Sequence, residues 1–260
     1  MAETSMRLGL LAATAALIGA SATTLPAAAR EDAEDAQAPP PAAGRVENAE
    51  QEDEGIWEIT VQRRARAAFL AGEHEKAIAG LTRIVEKDLA ILPTYYLRGL
   101  ANFARGKFEE AAADFEFEND VDDWGIEPRV WAHIARLRAG ASNEALATYL
   151  VENPEMVRPA WMEPVAKLLL AKGSAEACEK ALATAQEKAE NADARARLGA
   201  VVNLYLAEWH LCGGRTKEAG RLLEKAATYD GRPDSYWPLV GKGGLAQQEL
   251  ARLREPRAIP

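Results

Sequence analysis

Residue combinations that could support chemistry occur at two places, and neither completes the pattern that its chemistry needs. His74-Glu75 begins like the helix of a zinc protease, but the second histidine would have to stand where the sequence has Ile78. Gly106-Lys107 is followed by Phe108, whereas a phosphate-binding loop needs serine or threonine there. We therefore expect no catalytic residue, no metal site and no cofactor.

An acidic run between 109 and 127, with nine acidic residues and no basic one, raises the separate question of calcium binding. Asp120, Asp122 and Asp123 resemble the start of a calcium loop, but the twelve-residue loop ends on a glutamate, and Trp131 stands at that position. A solvated loop between helical units is the expected structure. His74, His133 and His210 fall in separate predicted helical hairpins, which argues against a shared metal site.

The elements that must position these residues repeat every 34 residues. The period is visible in glycines and in alanines that follow them by five positions: Gly72, Gly106 and Gly140, and Ala77, Ala111 and Ala145. A fixed period of this length is typical of stacked helical hairpins. In such a unit the glycine ends the first helix, because glycine adopts the left-handed helix-ending conformation at little cost.

The middle unit shows the pattern in most detail. An aromatic, a small residue, a turn glycine, an aromatic, an alanine and an aromatic occur at Tyr95, Gly99, Gly106, Phe108, Ala111 and Phe115. This stretch resembles the tetratricopeptide repeat family. Gly99 and Ala111 are expected where two helix backbones cross closely. Arg98 in place of an apolar residue and Glu118 in place of a small one depart from the family pattern.

Further units follow at less regular intervals. Gly173 and Cys178 mark a fourth hairpin, and Gly214 and Ala219 mark a fifth, with about seven extra residues around 186–193. The predicted fold of residues 56–254 is all-α, a right-handed α-solenoid of about five hairpins plus a C-terminal capping helix, with a tail at 255–260. The outer face of the cap would be formed by Gln247, Gln248, Glu249, Arg252 and Arg254. A generic helical bundle is the competing interpretation.

Residues 1–29 have the pattern of a signal peptide. Arg7 precedes an uncharged apolar run at 8–20, and Ala27-x-Ala29 fits cleavage before Arg30. The run is shorter than the ~20 residues that span a membrane, so no membrane span is expected in the mature chain. An uncleaved anchor is the competing interpretation. The stretch contains no cysteine for lipid attachment, and the predicted location is the periplasm.

Residues 30–55 are predicted to be an acidic, proline- and alanine-rich disordered linker. Residues 30–58 contain ten acidic and two basic side chains, and Pro39-Pro40-Pro41 interrupts any regular element. This segment accounts for nearly all of the net charge of −9, so the repeat region is almost neutral. Neither part has the basic excess of a nucleic-acid-binding protein.

Alignment on the family pattern predicts a partner-binding groove on the concave face. Its residues would be Arg66, Phe69, Tyr96, Leu100, Phe103, Val130, Ile134 and Leu137. The middle of this surface is apolar and aromatic, which suits an apolar helix or an extended peptide. Gln62 and Arg66 stand where members that grip a C-terminal carboxylate have lysine and asparagine.

Cys178 and Cys212 are the only cysteines of the sequence. The sequence leaves open whether they form a structural disulfide or are two buried thiols.

The predicted function is that of a non-catalytic protein–protein interaction scaffold or adaptor in the bacterial cell envelope. The chain looks like envelope tetratricopeptide proteins of Gram-negative bacteria, and this resemblance implies peptidoglycan hydrolases or a periplasmic protease as partners, and a homodimer. The alternative is an enzyme-associated subunit or a cryptic enzyme acting on envelope polymers, for which Asp114, Glu116 and His133 would be the residues to test. A purely structural spacer is a third hypothesis.

Overall fold

Helices and turns make up the residues that the structure describes. It is a computed structural model that describes residues 43–89, 93–121, 126–141, 146–148, 159–233 and 238–255, with side chains from Trp57 onward except at 118–121. The chain from Gly44 onward forms one compact unit. The predicted signal peptide at 1–29, the linker at 30–42, and Ala145 of the third repeat lie outside the described residues.

Within the described residues ten helices have defined ends, and we number them in chain order. They are α1 Ala43–Leu70, α2 His74–Glu86, α3 Thr94–Ala104, α4 Phe108–Val121, α5 Glu127–Arg138, α6 Met162–Leu169, α7 Ala175–Glu187, α8 Ala192–Cys212, α9 Thr216–Ala227 and α10 Leu245–Arg254. No strand occurs in the described part of the chain, so the predicted all-α class is confirmed there. Helices that follow one another in the chain, such as α2, α3, α4 and α5, pack in order.

The first helix begins earlier than the sequence predicts. α1 starts at Ala43, so residues 43–55 of the predicted disordered linker have helical backbone. The physical reason is composition: after Pro41 this stretch has no proline, and its four glutamates and two alanines are good helix formers.

The 34-residue period of the sequence is also a period of the structure. At the end of α3 the Gly106 N–H donates to the Phe103 carbonyl (2.8 Å), and the Lys107 N–H donates to the Asn102 carbonyl (2.9 Å). This is the Schellman pattern of helix termination, which needs a left-handed residue. The same two bonds occur around each of the glycines with that conformation at a helix end: Gly72 (φ +76°), Gly106 (+78°), Gly140 (+82°) and Gly214 (+70°).

The fourth hairpin uses a different residue for this turn. The sequence pattern predicts Gly173, but the left-handed residue is Ala171 (φ +56°). The Ala171 N–H donates to Leu168 (3.0 Å) and the Lys172 N–H to Lys167 (2.8 Å), which is the same termination two residues earlier. The Gly173 prediction is therefore wrong, because α6 has only eight residues and ends before that glycine can close it.

Close crossing of α3 and α4 explains the small residues of the middle unit. A Cβ on Gly99 would lie 2.7 Å from the Phe115 ring, and Ala111 is fully buried, so the expected close contact is confirmed. Arg98, which departs from the family pattern, reaches Asp114 of α4 at 2.6 Å. Asn102 donates a further bond to Asp114 at 3.1 Å, so the substitution is matched by a buried carboxylate.

Candidate functional site

The residues predicted to line an open groove are mostly inside the protein. Six of them have no exposed surface: Phe69, Tyr96, Leu100, Phe103, Val130 and Ile134. Arg66 and Leu137 are half-buried. In this structure the predicted groove is thus covered by other parts of the chain. Partner binding at these residues stays a prediction.

Part of the cover comes from α8. The Trp131 ring of α5 contacts the Phe103 ring, with centroids 5.3 Å apart, and the Tyr205 ring of α8, also at 5.3 Å. Tyr205 and Trp131 are completely buried. The aromatic residues of the middle hairpins therefore pack against the fifth hairpin instead of facing solvent.

α10 packs back on the start of the repeat region. The Gln248 amide nitrogen donates to the Phe69 carbonyl (2.8 Å), at the end of α1. Its amide oxygen lies 2.6 Å from Nε2 of His74, at the start of α2. Just before α10, Gly243 has φ +75°, and a Cβ there would collide with the Leu70 carbonyl. The chain thus passes directly over the turn of the first hairpin.

The turns of the second and third hairpins contact α10 as well. The Arg252 guanidinium lies over the Phe108 ring (5.3 Å), and the Arg138 guanidinium lies over the same ring at 4.6 Å. Glu249 accepts a hydrogen bond from Arg252 Nε (2.9 Å) and lies 3.5 Å from Arg138. We call the surface formed by Phe69, His74, Phe103, Phe108 and Arg138 the turn face, because it lies at the ends of α1, α3 and α5.

The polar side of α10 differs from the sequence prediction. Gln248, Glu249 and Arg252 were expected on the outer face of a cap, but Glu249 is buried and the other two contact the turn face. Arg254 is exposed, as expected. The reason is that the turn face presents a backbone carbonyl and the Arg138 charge, which polar side chains satisfy better than apolar ones.

Four buried or half-buried charges meet where α5, α8 and α10 converge. Arg138 forms an ion pair with Glu208 of α8, which is fully buried, and the Arg252–Glu249 pair of α10 lies beside it. Burial, with added repulsion from Glu249, raises the pKa of Glu208 to about 8. For Arg138, burial lowers the pKa, but the carboxylates of Glu208 and Glu249 raise it by more. The pKa of Arg138 is therefore raised overall. Within the described residues Glu208 Oε1 accepts no hydrogen bond.

The two cysteines occupy unrelated environments. Both are free thiols in the structure, so of the two alternatives that the sequence left open, the disulfide is not formed in it. Cys178 is buried at the position of α7 that alanine occupies in other hairpins, and burial raises its pKa to about 11. Cys212 is the last residue of α8 and lies near Glu208. Burial, with a smaller contribution from the Glu208 carboxylate, raises the pKa of Cys212 to about 12.

The residues named for a cryptic enzyme are either paired with arginines or buried. Asp114 binds Arg98, and its pKa is raised because burial outweighs the arginine. Glu116 accepts two hydrogen bonds from Arg136 (3.0 and 2.6 Å), and His133 is buried in α5. Among the described residues no three His, Cys, Asp or Glu side chains are placed to hold a metal ion.

A cleft of about 470 Å³ lies between α7, α8 and the start of α6. Its lining includes the apolar side chains of Trp161, Leu198 and Val201 and the charged side chains of Lys188 and Glu127. Glu127 accepts a hydrogen bond from the Tyr205 hydroxyl (2.9 Å), and burial raises the Tyr205 pKa well above its usual range. The sequence offered no signal for this cleft beyond the unusual number of tryptophans.

No protein-family model matches the chain, and no curated protein is similar to it. No helix in the described part of the chain is both long and apolar enough to span a membrane.

Proposed function

We propose that this chain is a non-catalytic protein–protein interaction scaffold built from tetratricopeptide-like hairpins, and that it acts as an adaptor in the bacterial cell envelope. The observation that carries the proposal is the recurrence of one turn. Gly72, Gly106 and Gly140 have the same left-handed conformation and the same hydrogen bonds at a spacing of 34 residues. Stacked hairpins of this period present long surfaces, and proteins use such surfaces to bind other proteins.

The small residues at helix crossings support the same architecture. Gly99 leaves room for Phe115, and Ala77, Ala111 and Ala219 are fully buried five residues after their turn glycines. These contacts are typical of helical hairpins, and the right-handed solenoid of about five hairpins is part of the proposal.

The envelope part of the proposal depends on the amino-terminal sequence pattern and on the family resemblance. Peptidoglycan hydrolases, a periplasmic protease and a second copy of this chain are the partners that the resemblance implies. A non-catalytic role is favoured because the carboxylates of Asp114 and Glu116 are engaged by arginines. Removing either carboxylate would break its ion pair with arginine.

Photocrosslinking in intact cells tests the proposal. A photoreactive amino acid would replace Arg66 or Leu137, the two half-buried residues of the predicted groove, and, as a control, Arg221, an exposed residue of α9. We expect one envelope protein to be crosslinked from both groove positions and not from Arg221. Fractionation of the same cells should recover the protein with the periplasm. Products that contain only this chain, each from a single copy, would contradict the scaffold role.

A further inference from the structure

We draw no further inference here: the strongest candidate, the cleft between α7, α8 and the start of α6, is lined by acidic and basic side chains alike, so the residues that the structure describes do not indicate what would occupy it.

Discussion

Replacing Glu208 by glutamine should remove a pH dependence from the stability of the fold. Burial, with Glu249 nearby, raises the pKa of Glu208 from 4.5 to about 8. The folded state therefore binds this proton more tightly than the unfolded state. The stabilisation that follows is complete below about pH 4.5 and is lost as the pH rises through about 8. Within that window each pH unit costs at most about 1.4 kcal/mol.

Urea unfolding followed by circular dichroism at a series of pH values measures this effect. Between pH 5.5 and 7.5 the free energy of unfolding of the native chain should fall, relative to the Glu208→Gln chain, by roughly 2 to 3 kcal/mol. Comparing the two chains cancels the titration of groups that they share. Glu224→Gln is the control, because Glu224 is an exposed carboxylate that binds Arg254 at the surface, and it should leave the pH profile unchanged.

Parallel profiles for the native and Glu208→Gln chains would refute the reasoning. They would mean that the ion pair with Arg138 keeps Glu208 ionised in spite of its burial. An opposite slope, with the native chain gaining stability as the pH rises, would mean that the ion pair outweighs burial altogether.

Three further predictions concern the turns, the helix crossing and the thiols. Ala171→Gly should raise the free energy of unfolding by about 1 kcal/mol, measured in urea, because glycine adopts φ +56° without strain. Gly99→Ala should lower it by about 1 to 3 kcal/mol, since the new Cβ would press on Phe115, and Phe115→Leu in the same chain should recover part of the loss. Cys178 and Cys212 should react with a thiol reagent at pH 7.5 far more slowly than a free cysteine, but at full rate in denaturant, because raised pKa values leave little thiolate. Loss of the thiol signal in denaturant without reductant would instead indicate a disulfide.

The features that the sequence predicted are those set by neighbours along the chain. The turn at Gly106 needs only residues 102–107, and the crossing at Gly99 needs Phe115, sixteen positions away. Local spacing is enough to specify both. The helix termination at Ala171 escaped prediction because alanine gives no signal of a left-handed conformation, which costs it about 1 to 2 kcal/mol.

The candidate site escaped prediction because its contacts join distant parts of the chain. Gln248 and Phe69 are 179 residues apart, and Arg138 and Glu249 are 111 apart. Polar residues on a terminal helix usually face solvent, so nothing in the sequence of α10 indicated that Glu249 would be buried. Phe69 and Phe103, which the family pattern alone assigns to an open groove, are fully buried.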